Sequence, residues 1–593
     1  MAKDTDNTEQ EDNPEDTELQ ETAAEQEHDH KDHNTEVKPT NMFSRLWHAY
    51  LANKKLTIPL TILAILTLVL AIPLTRYPLL GTIISRNFSV IVIDSQTGKP
   101  VSSADVRVAG KSAKTDANGR ASLKVKVGNT QLNIQKKYYK DLSTKVLVPI
   151  GSVRDPLRQK IEATGRQVPI VVRNKVTGQP LSNANIAAAG TEVKTGKDGK
   201  VTIVLPADKS KQEAFITAEG YNGAKATITV TDKDVADNMF NITPSGKLYF
   251  LSKLSGKIDV VKTDLDGTNR QTVLAGTGKE EEAGTVLLAS RDWKYLALIS
   301  RRAGLQARVY LIETANDKLT VIDEGNASFT AVGWSNDKFI YTVNRNTVQL
   351  WQAKKFALKS YNASTKNLVT LDETDVVGTG QYYYGDESFG QVYVLDNQLI
   401  YTKNWSTYYD SPTLIGNQQA KIISVKPDGT AKTTLKSVGV PDGESLSSLS
   451  FDSISHKADA IYFRIYDGAN SFYEFEDGKI SENKSLDDDK FYNSDYLTYI
   501  VSPDGKQSFW SERRDGKNMF FVGDIRGENS KQVATLNEYN PYGWYTDDYL
   551  LVSKGGSELY IMSVSGSKTP YKVSDYHKPN YDFRGYGYGY GGF

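Results

Sequence analysis

Three histidines near the amino terminus, His28, His30 and His33, alternate with Asp29 and Asp32, and side chains of these types at this spacing can hold a divalent metal. Other groupings offer the oxygen ligands that calcium takes: Asp116 with Asn118, Asp198, the Asp232/Asp234/Asp237 series and the Asp487-Asp488-Asp489 run. Each also has a plainer reading. The His/Asp segment lacks a rigid frame, Asp116-Ala117-Asn118-Gly119 and Gly196-Lys197-Asp198-Gly199 read as hairpin turns, and the acidic runs suit solvated loops. No metal or cofactor is therefore assigned, and calcium is the one ion with candidate ligands after the amino-terminal segment.

Covalent chemistry finds less support. The chain has no cysteine, which excludes disulfides, thiolate zinc sites, iron-sulfur ligation and a Cys nucleophile together. No Gly-x-Ser-x-Gly elbow with a following His is present, and beyond residue 86 the only histidines are His456 and His577. Phosphate-loop and dinucleotide fingerprints are missing too. The chain reads as no enzyme, with no catalytic residue, and no nucleic acid partner is expected.

What remains is recognition. Tyr382-Tyr383-Tyr384-Gly385-Asp386 and Asn404-Trp405-Ser406-Thr407-Tyr408-Tyr409-Asp410-Ser411-Pro412 place flat aromatics beside Asn, Asp and Ser. Such rings contribute contact area at little entropic cost, which suits a sugar or peptide surface. Tyr382, Tyr383, Tyr384, Trp405, Tyr408 and Tyr409 are the candidate partner-binding residues; the alternative is that they pack inside the fold.

The elements that position them begin with a membrane segment. Residues 56–74, LTIPLTILAILTLVLAIPL, are nineteen residues without a charge, and at about 1.5 Å per residue they approach the roughly 30 Å hydrocarbon core. Trp47, Tyr50 and Tyr77 stand where interfacial aromatics belong. The leader before the span is long and acidic, unlike a cleaved signal peptide, so an uncleaved anchor is expected. Arg45, Lys54 and Lys55 before the span outweigh Arg76 and Arg86 after it, which places the amino terminus in the cytoplasm and the rest outside. A large cysteine-free ectodomain points to a bacterial envelope.

After the span the sequence repeats. Thr97-Gly98-Lys99-Pro100-Val101-Ser102 with Ala104 returns 80 residues later as Thr177-Gly178-Gln179-Pro180-Leu181-Ser182 with Ala184, and Gly110, Lys114-Thr115 and Gly119 return as Gly190, Lys194-Thr195 and Gly199. With a late aromatic in each copy (Tyr138/Tyr139; Tyr221), this pattern resembles the carboxypeptidase regulatory-like family of transthyretin-type β-sandwiches over about residues 87–232. The resemblance implies a spacer of about seven strands per copy and no catalytic residues.

From about residue 241 the chain turns to short Tyr-rich strands. Gly333-Trp334-Ser335-Asn336-Asp337-Lys338-Phe339-Ile340 aligns with Gly543-Trp544-Tyr545-Thr546-Asp547-Asp548-Tyr549-Leu550, and Ser290-Arg291-Asp292-Trp293 and Ser502-Pro503-Asp504-Gly505-Lys506 are weaker copies. Neighbouring Asp anchors, Asp292 to Asp337 and Asp504 to Asp547, lie 45 and 43 residues apart, the length of a four-stranded propeller blade. Ser502-Pro503-Asp504-Gly505-Lys506 and the outer turn Asp264-Leu265-Asp266-Gly267-Thr268-Asn269 resemble TolB-like and dipeptidyl-peptidase-type propeller repeats. Further turns near Gly246, Asn397 and Lys457 bring the count to seven, with six or eight possible and an insertion at the fourth. Asn580 to Arg584 is the candidate strand for closing the first blade.

The expected architecture is mainly β: a disordered acidic tail (1–45), a juxtamembrane and transmembrane helix (46–86), β-sandwich modules at 87–160 and 161–232, a roughly seven-bladed β-propeller at 233–584 and a Gly/Tyr-rich tail at 585–593. The formal net charge of -1 hides segregation. Residues 1–40 hold fourteen acids and three bases, while residues 87–166 hold fifteen bases and six acids. The first sandwich module is thus the basic one, and it reads either as a solvated surface or as one that leans on anionic lipid or an acidic wall polymer beside the bilayer. A membrane-anchored display protein is the reading this layout supports, with the propeller binding an unknown protein or glycan. The alternatives are an extracellular propeller enzyme using channel carboxylates on a polymer, or an envelope sensor using its acidic tail.

Overall fold

The computed structural model describes residues 47, 50–51, 54–81, 83–151, 155–230, 238–350, 352–375, 385–395, 397–407, 419–439, 448–455, 460–492, 500–555, 558–566 and 569–575. The chain divides into two compact units, Met1–Ile84 and Ser85–Phe593.

In the first unit an 18-residue helix, Lys54–Ala71, exposes Leu56, Ile58, Leu60, Leu63, Ile65 and Leu68 on different sides. It ends because Pro73 has no N–H to donate; a second helix, Pro73–Leu80, follows the break at Ile72. Eighteen residues rise only about 27 Å. Among the described residues no helix is long and apolar enough to cross a membrane, so the uninterrupted span expected at 56–74 is not present as one helix.

The second unit opens with two sandwiches of seven strands each. In module 1 the sheet Arg120–Lys126, Ser85–Asp94, Leu157–Ile161 faces the sheet Lys111–Lys114, Asp105–Val108, Gly128–Gln135, Leu142–Val148. Module 2 repeats both sheets, with Lys200–Leu205, Arg166–Asn174 and Met239–Ile242 in the first. The recurring residues have recurring tasks. Thr115 Oγ1 donates to the Val101 carbonyl and accepts from the Ala104 amide, and Thr195 does the same with Leu181 and Ala184. Gly119 and Gly199 have positive φ, and a Cβ there would overlap the carbonyl of Val92 or Val172. Asp116 Oδ1 accepts the Asn118 and Arg120 amides, the hairpin role expected of an Asx turn. The final strand of module 2, Met239–Ile242, runs parallel to Arg166–Asn174, so the boundary expected at residue 232 falls after Ile242. Sequence could not place it because a parallel closing strand is set by its tertiary partner.

Among the described residues seven antiparallel meanders follow, one per blade, with strands a to d in chain order. Asp292, Asp337, Asp504 and Asp547 each lie in the turn between strands a and b. The Gly-Trp pairs are explained by their indoles: Trp334 Nε1 donates to Leu288 O (3.1 Å) and Trp544 Nε1 to Ile500 O (2.8 Å), in each case on strand a of the preceding blade. Six of the c/d pairs contain a register shift, which passes over Val273, Ile322, Leu371, Leu435, Val533 and Val573 in turn.

Blade 1 is the exception in strand number. Its three strands are Lys247–Ser252, Asp259–Asp264 and Gln271–Leu274, equivalent to b, c and d, because the segment before them pairs with module 2 instead. Blades 1 and 7 nevertheless share one core with Leu248, Phe250, Trp544, Leu551 and Val573. Asn580 to Arg584, expected to complete blade 1, and the 585–593 tail lie outside the described residues. At blade 4 the insertion takes the form of a long hairpin, Gly385–Leu395 and Gln398–Thr407, with Ser448–Leu449 added at its edge.

Candidate functional site

Of the six aromatics put forward as a binding face, Tyr382, Tyr383, Tyr384, Tyr408 and Tyr409 lie outside the described residues. Trp405 is described, and it is buried at 6% exposure on blade 4, opposite Glu387 and Leu449. Of the two readings of this ring the buried one holds: the Ser448–Leu449 strand flanks Trp405, a non-local pairing that nothing in its neighbouring sequence announces. Its Nε1 has no hydrogen-bond partner among the described residues.

The exposed apolar side chains of the propeller lie elsewhere. Val321 and Leu368 are exposed on outer strands, whereas Leu254 (66% exposed) and Leu305 (93%) occupy the connections between strands b and c of blades 1 and 2, and Tyr466 (57%) ends strand b of blade 5 next to the same connection. Successive connections in a meander alternate ends, so the latter three share one face of the ring. Module 2 meets the opposite face. Its Asn174 Nδ2 donates to Tyr549 Oη (2.8 Å) just after the a/b turn of blade 7, and its Lys175 Nζ pairs with Asp266 (2.6 Å) in the c/d turn of blade 1. Asp266 also accepts from Thr243 Oγ1 and Thr268 Oγ1. Burial alone would raise the Asp266 pKa, but the hydrogen bonds from Lys175, Thr243 and Thr268 outweigh it and hold the carboxyl well below its usual range.

A cleft of about 860 Å³ lies between the two sandwich modules, with Lys136 and Glu192 on its wall and the half-exposed Phe215 at its edge. Lys136 Nζ donates to the carbonyls of Ser102 (2.7 Å) and Glu192. Burial pulls its pKa down to about 8, with Glu192 opposing and Lys114 adding to the fall. A lysine so perturbed in a cleft is a place to look for chemistry. Here two carbonyls already accept its hydrogen bonds, and neighbouring contacts do the same work: Tyr138 Oη and Lys137 Nζ both donate to Ala189 O, and the Lys194 amide to Ser102 Oγ. The arrangement fastens module to module.

Carboxylates on the innermost strands bear on the enzyme alternative. Glu387 pairs with Lys403 (3.0 Å), and Asp452 with Arg464, so each described carboxylate there has a cation against it. Asp488 is held by Arg464 and Asn470, and Asp487 caps the short helix Asp488–Tyr492 through the Lys490 amide. Asp232, Asp234, Asp237, His456 and His577 lie outside the described residues, as do His28, His30 and His33. Among the described residues no three His, Asp or Glu side chains converge as a metal site.

No protein-family model matches this chain, and no curated protein matches it. Solved structures similar to it include an oligogalacturonate lyase from Vibrio parahaemolyticus, at 12% identity over 56% of this chain and 85% of that one, with a TM-score of 0.30. The β-propeller domain of the Trilobed protease from Pyrococcus furiosus has 12% identity over 63% and 95%, with a TM-score of 0.30. TolB from Acinetobacter baumannii has 11% identity over 60% and 74%, with a TM-score of 0.25. The propeller reading rests on the chain's own seven sheets and their shared cores.

Proposed function

We propose that this chain is a membrane-attached, non-catalytic presentation protein of a bacterial envelope, whose β-propeller binds a surface protein or glycan. The observation that carries the reading is the joint at Asn174 and Lys175, which fastens module 2 to both blade 1 and blade 7 on one propeller face, while Leu254, Leu305 and Tyr466 are exposed at the other. Met239–Ile242 closes module 2, and Lys247 opens blade 1 after a connection too short to act as a flexible linker. The two modules, similar in their repeat to carboxypeptidase regulatory-like sandwiches, act as spacers. Attachment through residues 54–80 is supported by the apolar side chains that Lys54–Ala71 exposes on different sides, which water does not favour and lipid does.

Photo-crosslinking groups placed at Leu305 and Tyr466 in the full chain, on intact cells, test the binding face. Both positions should capture the same partner, and Leu305→Asp should abolish capture at Tyr466. Equal capture from a control position at Phe215 would overturn the assignment of that face.

A further inference from the structure

We infer that the outer face of the module 1 sheet Arg120–Lys126, Ser85–Asp94, Leu157–Ile161 is a docking surface for an anionic phospholipid headgroup layer, an inference that rests on the membrane-attached reading. The register defines the face. Val90 and Val92 point into the sandwich core, so Ser85, Asn87, Ser89, Ile91 and Ile93 point out, and their cross-strand partners point out with them. Those partners are Lys126, Lys124, Ser122 and Arg120 on one side, and Arg158 and Lys160 on the other. Five cations therefore border a floor of Ser, Asn and Ile. No acid and no aromatic stands on this face, and among the described residues none of the five cations has an ion-pair partner.

Module 2 provides an internal comparison. At the positions of Arg120, Lys124, Arg158 and Lys160 it has Lys200, Val204, Met239 and Asn241. There part of the face is covered: Gln167 Nε2 donates to Asp94 of module 1 (3.1 Å), Lys99 Nζ of module 1 approaches Thr202 Oγ1 (3.5 Å), and Val171 and Val204 are buried, while Lys200, Met239 and Asn241 are exposed. The module 2 face thus carries buried valines where module 1 meets it and keeps one of the four cations at these positions, whereas the module 1 face is cationic with small polar residues.

The chemistry favours a headgroup layer as the occupant. A flat face about 20 Å long, with cations about 6.6 Å apart along a strand, matches a plane of phosphates, whereas a glycan is held by aromatic platforms, which this face lacks. Electrostatic attraction fades over about 10 Å at 0.1 M salt, so the partner has to be close by. Only four residues, 81–84, separate Ser85 from the end of helix Pro73–Leu80 in sequence.

The cysteine-free chain accepts one thiol label. Asn87→Cys in the full chain, carrying a fluorophore, is placed in nanodiscs of neutral lipid or of lipid with an anionic fraction, each with a headgroup quencher. Each cation near an anionic surface strengthens contact about fivefold, so quenching should rise in anionic discs, and Lys124→Gln with Lys126→Gln should lower the contact constant about 25-fold. About 1 M salt should abolish it. Equal quenching in neutral and anionic discs at low salt overturns the inference. So does protection of the label by a soluble polyanion without any response to anionic lipid, which would assign the face to a polymer. Release of the chain from neutral discs overturns membrane attachment instead, and is read separately as protein lost from the disc fraction.

Discussion

Gly267, in the c/d turn of blade 1, packs directly on the carbonyl of Val573 in the outer strand of blade 7. Val573 is the residue that the blade 7 register shift passes over, and the ring closes where these two backbones meet. Gly267 has φ +75°, so a side chain would be strained even without the contact, and a Cβ would overlap the Val573 oxygen. Gly267→Ala should therefore cost about 3 kcal/mol, by the strain and overpacking it introduces. Gly256→Ala, at φ +82° with open space around it, should cost only about 1 kcal/mol. Urea unfolding of the two variants checks the difference, and equal midpoints would contradict closure at this contact.

Blades 2 to 4 are joined by phenols that reach back to the preceding blade. Tyr341 Oη donates to Asp323 (2.7 Å) and Tyr401 Oη to Asp372 (2.6 Å), and both aspartates flank a register shift on an outer strand. Burial first, then the carboxylate, pushes each phenol well above its ordinary value of 10.0. The native state then keeps protons that the unfolded chain releases, so stability should fall as pH rises above about 10. Phenolate absorbance should show these tyrosines ionising only together with unfolding, and less stability should be lost over this range in the Tyr341→Phe/Tyr401→Phe variant.

Lys136 has the opposite sign over an adjoining range. With its pKa lowered from 10.5 to about 8, the folded chain releases this proton first, and the unfolded chain holds more protons between those values. Its contribution to stability should rise with pH across that window, by up to about 3 kcal/mol. The stability of the native chain relative to Lys136→Met, measured by urea unfolding at successive pH values from about 7 to 10, should increase along the series.

At the module–propeller joint, Asp266→Ala removes a carboxylate that three side chains address. The loss should be roughly 1.5–3 kcal/mol, the range for hydrogen bonds to a charged group. Because the native carboxyl titrates below its usual range, the contribution of Asp266 is present above about pH 4 and lost as pH falls below that. Limited proteolysis between residues 242 and 247 should accelerate in the variant at neutral pH, and in the native chain only under acid.

The repeats were legible because local chemistry recurs with them. Thr115 and Thr195 make the same two hydrogen bonds, Gly119 and Gly199 meet the same carbonyl, and the Asp anchors turn strand a into strand b; each task is short in range and leaves a pattern in the chain. The charge of module 1 was legible for the same reason, since counting needs no geometry, but the Arg120, Lys124, Lys126 face required the register with Ser85–Asp94. What sequence missed was set by distant partners. Whether Trp405 faces a partner or packs inside the fold was decided by Ser448–Leu449 lying against its strand, and Met239–Ile242 looked like propeller until it paired in parallel with Arg166–Asn174. The outer turn with Asp266 became a joint only because Lys175 reaches it from 91 residues away in the chain. The amino-acid sequence by itself determined the turns, the repeat lengths and the distribution of charge, because these depend on neighbours along the chain. Tertiary structure alone decided which surfaces stay open, because burial is a relation between segments that only the fold brings together.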